Sequence, residues 1–110
     1  MITVTATTTR PSTAIAWFLD TDPVAEALHT NLRLESEVLS SSTSQSNGGL
    51  TSIGILNFNS YDDYYAWTEK LRVADPLFLS KRNDYIVNNG LTLKIEESLD
   101  AGPTVVEKII

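Results

Sequence analysis

The amino-acid sequence predicts a single α+β domain whose elements run β-α-β-β-α-β, and three observations carry that expectation. Apolar and polar residues alternate with period two at both ends of the chain: Ile2, Val4 and Ala6 against Thr3, Thr5 and Thr7, then Leu91, Leu93 and Ile95 against Thr92, Lys94 and Glu96. Helix-opening signals stand between them, Asp22-Pro23 first and then Ser60 three residues ahead of Asp63. In the middle, Asn47-Gly48-Gly49 separates two extended segments, as the turn of a hairpin does. With 110 residues the chain is long enough for one core and too short for two.

Taken in order, residues 2–9 form the first strand, which Pro11 closes. Thr13 to Leu19 is a short apolar stretch of undefined shape, bounded by Asp20-Thr21-Asp22. A helix follows over roughly 23–32. Asp22 caps it, Pro23 takes the first helical position where a missing N–H costs nothing, and Val24, Ala27, Leu28 and Leu32 fall on one side. Residues 35–46 are polar and serine-rich and read as a second strand, hairpinned to a third over 50–58; the alternative for the serine stretch is a flexible loop.

Ser60 opens a helix over 61–74 on which Tyr64, Trp67, Thr68 and Leu71 share a face. Asp75-Pro76 repeats the cap-and-proline signal and predicts a further helix over about 76–89, ended at Asn88-Asn89-Gly90 by a glycine able to turn left-handed. The strand of Leu91, Leu93 and Ile95 comes next, and after Gly102-Pro103 a last β-rich piece, Thr104 to Ile110. The expected division is one domain over 1–98 and a tail over 99–110 that is available as an extra strand at a dimer interface.

Composition removes several classes of function. With 14 Asp and Glu against 8 Lys and Arg, the net charge of -6 argues against a nucleic-acid partner, whose phosphates need a cationic surface. The 42% hydrophobic residues come in short runs, far from the ~20 that a membrane span needs. The absence of cysteine rules out disulfides, thiolate metal sites and a cysteine nucleophile. Met1 leads straight into the first strand with no basic and apolar leader, so a cytoplasmic location is expected.

The predicted order is the split βαβ arrangement of the ferredoxin-like fold, in which strands one and three are central and two and four are edges. The third strand carries Ile53 and Ile55 on one side and Leu50, Leu56 and Phe58 on the other, so both sides read as buried. Strands two and four carry Glu35, Glu37, the serines, Lys94 and Glu96, which suit edges that must resist stray pairing. Helices cover one face of such a four-stranded antiparallel sheet. Apolar side chains left in water on the other forfeit about 1.5–3 kcal/mol each. A homodimer through the helix-free face is therefore expected, with Val105, Val106, Ile109 and Ile110 of the tail extending the partner's sheet.

The order strand, helix, Asn47-Gly48-Gly49 hairpin, tyrosine-rich helix and final strand after Asn89-Gly90 resembles the dimeric α+β barrel superfamily over residues 2–98, and within it the small uncharacterised environmental proteins. The resemblance implies a dimeric α+β barrel with a small ligand held between sheet and helices. The superfamily includes antibiotic-biosynthesis-type monooxygenases and muconolactone isomerases, so the fold alone does not choose a function. Its haem-degrading members use an Asn, Trp and His set. Trp67 is present here, but Thr7 and Thr9 stand on the first strand where an asparagine would help, and 76–89 holds no histidine. No cofactor is expected.

Two residues stand out as candidates for chemistry. His29, the sole histidine, reads either as a general base or haem ligand, or as a half-exposed helix residue whose charged form suits the negative helix end. Without a second histidine it builds no zinc site, and no metal is expected. Arg82 shares a helix face with Phe78, Tyr85, Ile86 and Asn89. Its guanidinium either holds an acidic group on a ligand or lies at the border of that stripe with its head in water. In the first case Trp17, Phe18, Tyr64, Trp67, Phe78 and Tyr85 line the apolar part of the pocket; in the second they are core. The pairs Asp20/Asp22, Asp62/Asp63 and Glu96/Glu97 read as caps and surface features.

The function expected is non-enzymatic: a soluble homodimer holding a small apolar or fatty-acid-like molecule, with an acidic head toward Arg82. Two alternatives stay open. One is a cofactor-independent monooxygenase or isomerase with His29 or a tyrosine as acid or base. The other is a structural assembly subunit that uses the serine-rich hairpin and the TVVEKII tail.

Overall fold

Strand β1 (Ile2–Thr9) lies at the middle of one antiparallel sheet, between β3 (Thr51–Phe58) and β4 (Thr92–Leu99). The computed structural model describes residues 1–99 and, as backbone alone, Thr104–Ile109. Strand β2 (Val38–Ser46) flanks β3 and β5 (Thr104–Ile109) flanks β4, giving the order β2-β3-β1-β4-β5. The first four strands reproduce the expected ferredoxin-like order. The fifth adds to that four-stranded sheet: the tail strand pairs antiparallel with β4 of its own chain. Gly102-Pro103 and Ile110 of the expected tail lie outside the described residues.

Helix α1 (Phe18–Thr21) is a single turn within the apolar stretch that had no defined shape, and α2 (Pro23–Leu32) follows it. The cap works as expected: one Asp22 carboxylate oxygen accepts from the backbone N–H of both Val24 and Ala25, at 3.1 Å each. Helix α3 (Tyr61–Ala74) opens on Ser60, whose hydroxyl accepts from Asp63 N–H. Helix α4 (Phe78–Asn88) starts two residues later than expected. Asp75 caps a turn through Leu77 N–H instead of opening the helix at Pro76, and Phe78 N–H closes that turn on the Asp75 carbonyl. Gly90, at φ +72°, supplies the expected left-handed stop.

The serine-rich segment is a strand and not a loop, but it starts at Val38, three residues later than expected. The chain leaving α2 makes successive turns, Leu34 N–H to Asn31 and Glu35 N–H to Leu32, before it becomes extended. Asn47, Gly48 and Gly49 all have positive φ, which is what the hairpin reading required.

Register divides the sheet into two unlike faces. Ile2, Val4 and Ala6 of β1 stand level with Phe58, Leu56 and Gly54 of β3 and with Leu99, Glu97 and Ile95 of β4. The helices cover this face. Ile2 and Phe58 are wholly buried there, beneath Tyr64, Trp67 and Leu71 of α3. The opposite face carries Thr3, Thr5, Thr7 and Thr9 of β1, Ser40, Ser42, Ser44 and Ser46 of β2, and Ile53, Ile55 and Asn57 of β3. That corrects the expectation of an apolar helix-free face: Ile53 and Ile55 lie in a field of hydroxyls. Thr3 Oγ1 donates to Asn57 Oδ1 at 2.6 Å and Asn57 Nδ2 to Ser40 Oγ at 2.8 Å, tying three strands together across it. Among the described residues, no helix is long and apolar enough to cross a membrane.

Candidate functional site

The space between sheet and helices is filled at one end and open at the other, and strand sequence decides which. At the Ile2–Phe58 end large side chains meet the aromatic face of α3. Toward the other end the same rows shrink to Ala6 and Thr8 on β1 and Gly54 and Ser52 on β3, too small to reach the helices. A Cβ placed on Gly54 would meet nothing within 4 Å. The result is a cavity of about 450 Å³ over these residues, walled by Phe18 of α1, His29 of α2 and Phe78 and Arg82 of α4. This is the size range of small-molecule pockets.

His29 is the residue the structure most revises. The buried stripe of α2 runs through Ala25, Leu28, His29 and Leu32, while Val24 and Ala27, expected inside, are exposed. A stripe chosen by hydrophobicity passes over the histidine that shares it. The imidazole stacks on Phe78 at 6.3 Å between centroids and meets Trp67 edge-on at 6.4 Å. Burial, then the charges of Arg33 and Arg82, push its pKa down to about 4. It is therefore neutral near pH 7, not the charged end-of-helix residue of the alternative reading. Its Nδ1 has no hydrogen-bond partner among the described residues.

Arg82 lines the cavity half-buried, and its Nε and one Nη donate to Asn83 Oδ1 at 3.2 Å. Trp17, Phe18 and Phe78 also line it. Trp17 is held by Arg10, whose guanidinium lies 4.1 Å from the centre of the indole ring and donates to the carbonyls of Ile15 and Gly49. The three other aromatic candidates serve the core. Tyr64 packs on Phe58, Trp67 Nε1 donates to the Leu32 carbonyl at 2.8 Å, and Tyr85 Oη donates to the Ala16 carbonyl at 2.6 Å. Of the carboxylates read as caps and surface, Glu97 is instead buried, on the helix-covered side beside Val4.

Two contributors escaped the sequence reading. Gly54 leaves the cavity its depth, and a glycine inside a strand pattern is the signal that marks it. Arg33 lines the cavity one turn beyond His29, and the signal there was the four-residue spacing across a helix end. Asp20 and Glu26 also border the cavity, both solvent-exposed. Among the described residues, no cluster of three His, Cys, Asp or Glu side chains could hold a metal ion.

Neither a family model nor a curated protein matches the sequence. Solved structures do match its shape. One is a "putative antibiotic biosynthesis monooxygenase" from Deinococcus radiodurans, 15% identical, with a TM-score of 0.60 over 96% of each chain. Another is a dimeric ferredoxin-like protein from an uncultured marine organism, 10% identical, with a TM-score of 0.56 over 96% of this chain and 99% of the other. The ferredoxin-like fold expected from the sequence is thus the fold this chain shares with them.

Proposed function

We propose that the chain is a soluble, cytoplasmic homodimer that binds a small or elongated hydrophobic molecule in the cavity between sheet and helices. The observation that carries this reading is the cavity itself: it owes its volume to Ala6 and Gly54, and its walls join apolar side chains such as Phe18, Leu56, Phe78 and Leu93 to polar ones that include His29, Arg33 and Arg82. Arg82 stands where an acidic head would be received. The marine ferredoxin-like protein is dimeric, which supports the assembly, with the helix-free face as its interface.

The catalytic alternative makes His29 a general base in a cofactor-independent monooxygenase or isomerase, and its place on the cavity wall favours that reading. Its chemistry speaks against it. An imidazole with a pKa of about 4 has little affinity for a proton near pH 7, whereas an effective base is tuned close to the working pH. Binding without turnover is the better-supported function.

Titration with laurate tests the reading. The wild-type chain is expected to bind one equivalent, and Gly54→Leu, which places a side chain in open space, to bind at least about tenfold more weakly while keeping its fold. Absence of binding by wild type, or equal binding by both, contradicts it.

A further inference from the structure

We propose that the cavity selects monoanionic organic acids, with Arg33 as a second, specificity-setting guanidinium beside Arg82, and that binding draws a proton onto His29; this rests on the ligand-binding reading above and adds the charge class and the residues that set it. Four buried side-chain N or O atoms lack a hydrogen-bond partner among the described residues, and three of them belong to cavity-lining residues: Trp17 Nε1, His29 Nδ1 and Arg33 Nε. The indole and guanidinium nitrogens are donors with no acceptor capacity. What these two donors lack is an acceptor, and an ionised acid group is acceptor-only.

Charge is unevenly placed around that space. Arg33, at the end of α2, and Arg82, on α4, are half-buried, and both act on the His29 ring. The bordering carboxylates, Asp20 on α1 and Glu26 on α2, are solvent-exposed, so water screens their charge. From α3 and α4 the imidazole otherwise meets the rings of Trp67 and Phe78. One negative charge near the arginines is therefore favoured, whereas a dianion would set its second charge against the bordering acids. Burial is the main reason the imidazole stays neutral and the two arginines add to it; a bound anion offsets the arginines' part, so affinity for the anion rises as pH falls.

Calorimetric titration with naphthalene-2-sulfonate, which stays ionised throughout, and with the neutral naphthalene-2-sulfonamide separates these claims. The sulfonate is expected to bind about tenfold or more tightly than the sulfonamide, and Arg33→Met, its fold checked by circular dichroism, to lower the ratio of the two affinities several-fold, Arg82 keeping the remainder. Sulfonate affinity is expected to rise several-fold between about pH 8 and about pH 5 in wild type and to stay level in His29→Gln. Equal binding of the two probes, or an Arg33→Met variant that weakens both alike, overturns the anion selectivity alone. A pH profile shared by wild type and His29→Gln overturns the proton uptake. If neither probe nor laurate binds, the ligand-binding reading fails and this proposal with it.

Discussion

His29 shows how one side chain couples site to stability. Its pKa is about 4 in the folded chain against 6.5 in an unfolded one, so the unfolded state binds the proton more tightly between those values. The stabilising contribution is complete above about pH 6.5 and is lost as pH falls toward about 4, some 2.5 units, or roughly 3 kcal/mol at most. Urea denaturation across this range is expected to show a steeper acid loss for wild type than for His29→Leu, which fills the same apolar surroundings without titrating. Parallel profiles would contradict the burial. At this scale the sequence was half legible. Phe78 and Arg82 were read correctly as neighbours on one helix face, but Arg33 and Gly54 could not be placed on the cavity before the strand register and the end of α2 were known. Tyr64, Trp67 and Tyr85 carry the same aromatic signal as Trp17 and Phe18, and only packing separates core from cavity wall.

Elements were legible where local chemistry is self-sufficient. Asp22-Pro23 and Ser60 make their caps within three residues, and Asn47-Gly48-Gly49 sets the hairpin without outside help. Asp75-Pro76 carried the same letters as Asp22-Pro23, yet its carboxylate caps a turn and α4 begins at Phe78. Two glycines make a test of element-scale reasoning. Gly48, at φ +64° and ψ +29°, sits in the left-handed region, so Gly48→Ala is expected to cost about 1 kcal/mol although nothing lies within 4 Å of the new Cβ. Gly54 lies within regular β3 with equally open space, so Gly54→Ala is expected to be neutral or to stabilise by about 0.5 kcal/mol through the unfolded chain. Denaturation midpoints that fall equally for both would contradict the assignment of strain to the turn alone.

For the whole molecule, the four-strand order followed from the element order, while the place of the tail did not: period-two alternation marks a strand without naming its neighbour. The helix-free face was misjudged because Ile53 and Ile55 on the central strand suggested a greasy surface, whereas their neighbours across β1 and β2 are threonines and serines. Such a face, uncharged among the described residues except where Lys94 and Glu96 pair at 3.6 Å, suits a flat interface between two copies. Sedimentation is expected to give a dimer at micromolar concentration and a folded monomer for Ile55→Lys; a wild-type monomer would remove the assembly. The cavity faces the helices, so it does not depend on that outcome. The most direct test of the account is the laurate titration followed by NMR on 15N-labelled chain. Shifts are expected to concentrate on Ala6, His29, Gly54, Phe78 and Arg82 and to vanish in Gly54→Leu. Shifts confined to the helix-free face or to exposed helix surfaces, with those five amides unmoved, would contradict it.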